Sequence, residues 1–143
     1  MRDFAVSTAS MPLDQADGLR RLFADAPVLR IVPVLANPHV AFSGVAIERL
    51  TQALAVAGRH TLVVDAADTS PPPQEWARLD LSGAVERLGP QVSYLAARGL
   101  PRAHVDTRGS SAGFLERVVA AVPDADVVLV HGEAADLARL FGR

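Results

Sequence analysis

The chain has 143 residues, 50% of them hydrophobic, enough for one domain that buries roughly two-thirds of its unfolded surface. Its 14 basic residues balance 16 acidic ones, and no basic run or aromatic-interleaved patch gives the electrostatic footprint of a nucleic-acid binder. There is no cysteine, which excludes disulfides, thiolate zinc sites and thiol nucleophiles; every basic residue is arginine, which excludes Schiff-base lysines and a phosphate-loop lysine.

Residues 1–12 lack periodicity and read as a loose leader. Residues 13–26 contain "DQADGLRRLFADA", with Ala16, Leu19, Leu22 and Phe23 at helical spacing, and Pro27 ends that helix. A single α/β domain then occupies 28–143. "VLRIVPVLA" (28–36) is the apolar run of a parallel strand covered on both faces, although Pro33 lacks a ladder donor and suits an edge better. After the loop 37–44, "VAIERLTQALAVAG" sets Ile47, Leu50, Leu54 and Ala57 on one helical face, with Gly58 closing the helix. "HTLVVDA" (60–66) is a second buried strand ending in Asp65.

A proline-stiffened loop (67–76) precedes a short helix over 80–89 that starts after Asp80. Residues 91–97 and 102–108 read as strands, 110–122 as a helix capped by Ser110, 125–132 as a buried strand and 133–141 as an amphipathic helix. No stretch approaches the roughly 20 apolar residues of a membrane span, so no membrane segment and a cytoplasmic location are expected.

Strands alternating with helices predict a doubly wound, mostly parallel α/β sheet of about four strands. Ligands of such sheets bind beyond the carboxyl ends of the strands, which draws attention to Asn37 and His39, Asp65 and Asp68, Asp106 and Arg108, and His131 and Glu133. His131 with Asp65 and Asp106 could form a general-base pair or a two-carboxylate metal site; a histidine satisfied by loop carbonyls is the plainer reading. "RGSSAGF" (108–114) could hold an anion beside Arg108 or simply cap a helix. His39, His60 and His104 have no evident partner and read as surface or loop residues.

"DQADGLRRLF" (14–23) resembles the N-terminal activator helix of the FlhG (FleN) flagellar-number regulators, which are MinD-like ATPases of the ParA/MinD superfamily. Asp14, Gln15, Ala16, Leu19 and Arg20 occupy its motif positions. Residues 30–65 have the length of a MinD-type Walker A unit, and "LTQALAVAGRHTLVVDA" (50–66) resembles the helix and second strand of those ATPases. The resemblance covers residues 14–66 and implies a P-loop NTPase-like fold. It also implies that the helix docks on the SRP-type flagellar GTPase FlhF, with Gln15 and Arg20 near the bound nucleotide and Leu19 as the apolar anchor. Glutamine suits that task, since it orients attacking water in GTPases.

The family's phosphate loop reads G-K-G-G-V-G-K-T, and the matching window here is "NPHVAFSG", Asn37 to Gly44. Pro38 removes a donor, Val40 and Phe42 add bulk, His39 lies between them, and Ser43 stands where the lysine belongs. Asp68 falls one residue late for the family's Asp-Ala-Asp after the second strand, and His131 replaces the Walker B aspartate after "VVLV". The resulting expectation is a regulatory pseudo-ATPase that needs no cofactor. One alternative is an ATP- and magnesium-binding ATPase rebuilt on Ser43, Asp65 and Asp106. The other is a small α/β enzyme or anion-binding module using His131, Asp65 and Arg108. The family is about twice this length, so the chain reads as a remnant or as one part of a longer protein, with its oligomeric state open.

Overall fold

The computed structural model describes residues 29–37, 43–78 and 80–142. The expected leader and helix 13–26, with Asp14, Gln15, Ala16, Leu19 and Arg20, lie outside the described residues, as do Pro38, His39, Val40 and Phe42.

In chain order the elements are β1 (Arg30–Leu35), α1 (Ser43–Val56), β2 (Thr61–Asp65), a 3-10 turn (Glu75–Arg78), α2 (Leu81–Ala84), β3 (Glu86–Gly89), β4 (Val92–Ala96), α3 (Leu100–Ala103), α4 (Ala112–Ala121), β5 (Val127–Gly132) and α5 (Ala134–Phe141). The strands form one sheet in the order β1-β5-β2-β4-β3. Four of them run parallel, and β3 is antiparallel to β4 at one edge. The α/β class is as expected, with five strands in place of about four.

The two central strands follow from their sequences. β2 and β5 carry unbroken apolar runs because both of their faces are covered, and every residue of β5 is buried. β1 differs from its expectation. It lies at the edge with β5 as its ladder partner, and Val32 and Leu35 are 38% and 59% exposed. Pro33, which brings no N–H to a ladder, is accommodated there.

Two segments correct their predicted structure. Residues 80–89 are not one helix: Asp80 accepts the Gly83 N–H at 3.3 Å, α2 lasts one turn, Val85 is extended, and the chain becomes β3. The ladder to β4 decides this, outweighing a weak local helical preference. Residues 102–108 are not a strand. They finish α3 and enter a turn in which the Asp106 carboxylate accepts the N–H groups of Arg108 and Ser110, both at 2.8–2.9 Å. The helix that follows begins at Ala112, and Ser110 serves it only by accepting the Ala112 N–H at 3.1 Å.

The alternation of the strands divides the sheet into two faces. Leu62, Val64, Leu95, Val128 and Val130 pack against Phe114, Val118, Leu100, Leu137 and Leu140, forming the main core. Each such side chain contributes about 1.5–3 kcal/mol on burial. On the opposite face lie Val63, Asp65 and His131, next to α1. The inward face of α1 is Ile47, Thr51, Leu54 and Ala55; Leu50 and Ala57 point away, shifting the expected stripe. Thr51 can be buried because its hydroxyl donates to the Glu48 carbonyl at 2.7 Å. Gly58, at φ +76°, ends the helix as expected, and Arg59 donates back to the Leu54 carbonyl. Among the described residues no helix is long and apolar enough to cross a membrane.

Candidate functional site

In the parallel β2–β5 ladder Asp65 and His131 are register partners at the carboxyl ends of both strands. Their side chains therefore project from the same face, and His131 Nδ1 lies 3.0 Å from Asp65 Oδ1. Two further groups converge on the same carboxylate. Tyr94, opposite Val63 on β4, donates its hydroxyl to Asp65 Oδ2 at 2.8 Å. Ser70, returned by a turn in which its N–H bonds the Ala67 carbonyl, donates its hydroxyl to Asp65 Oδ1.

Burial pushes the Asp65 carboxyl up, but the hydrogen bonds from His131, Ser70 and Tyr94 outweigh it and hold the group below the usual aspartate range. Burial and the bond to the Asp65 carboxylate push the Tyr94 phenol well above its ordinary value, so it remains a donor. With Nδ1–H given to the Asp65 carboxylate, the neutral form of His131 presents Nε2 as a lone pair, and that buried nitrogen has no partner. A carboxylate that fixes the histidine tautomer is the arrangement used to prepare Nε2 as a proton acceptor or ligand.

His131 and Asp65 open onto a cleft of about 570 Å³ between α1 and the sheet, lined also by Gly44, Glu48, Thr51 and Tyr94. Among the described residues no arginine lines it, and the chain has no lysine. No protein-family model matches the chain, and no curated protein sequence does.

Of the sequence candidates, Gly44, Asp65 and His131 are brought together. Asn37 is exposed beyond β1, and Ser43 opens α1, its side chain lying outside the described part. Asp106 and Arg108 do not join the cluster: both are exposed, and Asp106 has its turn donors as partners. Asp68 pairs instead with Arg102 at 2.8 Å. Arg102 also forks onto the buried Asp136, Nε to Oδ1 and Nη2 to Oδ2, both at 3.0 Å, and so ties α3 to α5. Among the described residues no group of three or more His, Asp or Glu is placed to hold a metal ion.

Two histidines expected at surface or loop positions lie in loops as expected but have partners that the sequence did not show. His60 is buried at the amino end of β2, with Nδ1 3.2 Å from Asp124 and Nε2 2.8 Å from both Ser93 Oγ and Arg87 Nη1. His104 donates Nδ1–H to the Leu100 carbonyl and packs on Phe114 with ring centroids 5.3 Å apart. Tyr94 and Ser70 were missed among the site residues. The signal for Tyr94 was available, because in "VSYLA" a polar-tipped ring occupies the strand parity opposite to the apolar Leu95.

Proposed function

We propose that the chain is a cytoplasmic regulator of flagellar number resembling FlhG, in which nucleotide chemistry has been lost. It acts through Asp14, Gln15, Ala16, Leu19 and Arg20 on an SRP-type GTPase of the FlhF kind. The observation that carries this reading is the place of His131. In a Walker-type site the metal-binding aspartate and the phosphate loop both supply ligands to one magnesium ion, so the ends of the two strands that carry them must lie close together. β5 pairs with β1, the strand that precedes the window Asn37 to Gly44, and that neighbourhood supports the reading. Where the resemblance puts that aspartate stands His131, tied to Asp65, and among the described residues no cationic arginine or lysine side chain lines the adjoining cleft to meet a phosphate.

An ATPase rebuilt on Ser43, Asp65 and Asp106 gains no support, because Asp106 is not among the described residues that line the cleft with Asp65 and its carboxylate is used in its own turn. Isothermal titration of the full chain with magnesium-ATP tests the loss: a flat titration is expected, and saturable heat with micromolar affinity would overturn it.

A further inference from the structure

We propose that the cleft under α1 binds a small organic amine or amidine, a compact apolar body carrying an N–H donor that is received by His131 Nε2 and the Glu48 carboxylate. This does not depend on whether the chain acts on a GTPase.

His131 is 6% exposed, its Nδ1 is engaged by Asp65, and its Nε2 is buried without a partner, although a buried polar atom is normally hydrogen-bonded. The atom lies on a residue lining a cleft of about 570 Å³, within the roughly 300–1,000 Å³ range of small-molecule sites. Ile47, Val63, Leu88 and Val92 give the cleft apolar walls. Its charge is one-sided. Asp65 already accepts from Ser70, Tyr94 and His131, which leaves the buried, unpartnered His131 Nε2 and the exposed carboxylate of Glu48 on the cleft wall to receive a donor. An anionic ligand would be desolvated beside two carboxylates with no arginine or lysine among the described lining residues, which disfavours it. A metal ion would need more ligating side chains than the described residues gather.

The test uses the full ¹⁵N-labelled chain titrated with benzylamine and, separately, with benzoate, which has a similar shape and the opposite charge. Benzylamine is expected to shift the amides of Thr51, Val63 and Tyr94 saturably in the millimolar range and to move the His131 side-chain Nε2 resonance; benzoate is expected to do neither. Gln52→Trp, at an exposed position on the rim, is expected to weaken benzylamine about tenfold or more without altering the fold. Glu48→Gln, also exposed, is expected to weaken it about threefold or more. Equal saturation by benzoate, no saturable shift with benzylamine, or indifference to Gln52→Trp would each overturn the proposal. So would zinc chloride saturating the same resonances at a lower concentration than benzylamine, which would make the cleft a metal site.

Discussion

Replacing Asp65 by asparagine isolates the charge at the centre of the site. The shape is kept, and so is every partner: the new amide nitrogen donates to Tyr94, whose hydroxyl turns to accept, while Oδ1 still receives Ser70 and His131. A hydrogen bond to a charged group contributes about 1.5–3 kcal/mol and a neutral one about 0.5–1.5, so the charge adds about 1 kcal/mol per bond and about 3 over three bonds. Desolvation offsets part of this, since the Asp65 side chain is only 18% exposed. The carboxyl nevertheless titrates below its usual range, so the net effect of the charge is stabilising. Asp65→Asn should therefore lower stability by about 1–2 kcal/mol at pH 7, roughly 3–8 °C in melting temperature. The pH dependence fixes the sign. An unperturbed aspartate titrates near about 3.9 and folded Asp65 lower, so its contribution is present above about pH 4 and is lost as pH falls through the folded value. Urea denaturation of both proteins from pH 7 to pH 3 should show a gap that closes below about pH 4. A gap that persists unchanged at pH 3, or a variant more stable than the parent at pH 7, would refute the reasoning.

Tyr94→Phe removes one donor to the carboxylate, and the Asp65 titration followed by ¹³C NMR should move up toward the ordinary aspartate value. Arg102→Ala strips the bidentate partner from Asp136, whose side chain is 2% exposed, leaving among the described residues Arg139 at 3.5 Å. The loss should be about 2 kcal/mol by denaturant midpoint, and Arg102→Met with Asp136→Leu should recover part of it, because that double change removes the buried carboxylate left without its partner although Arg102 itself is 48% exposed. The flat magnesium-ATP titration belongs with these.

The parts of the fold visible in the sequence are those whose environment is written in their own residues. "LVV" in β2 and "VVLV" in β5 are apolar throughout because both faces of the central strands are covered, and Gly58 marks the helix end that its positive φ requires. β3 was hidden because Glu86 and Arg87 look like a solvated helix face, and only β4 across the hairpin makes the segment a strand. The site follows the same division. Asp65 and His131 were recognisable as strand-end residues, but their contact depends on β5 lying between β1 and β2, a long-range pairing that no local pattern encodes. Asp106 was misplaced for the converse reason: taking 102–108 for a strand moved a turn-capping aspartate to a strand end.

The central claim, that the chain is a regulator working through its N-terminal helix, is tested most directly by a GTP-hydrolysis assay. The purified full chain and its Gln15→Ala variant are added to the SRP-type flagellar GTPase of the same cell. The account predicts that the parent stimulates hydrolysis and that Gln15→Ala abolishes the stimulation while leaving the fold unchanged. No stimulation by the parent, or equal stimulation by the variant, would contradict it.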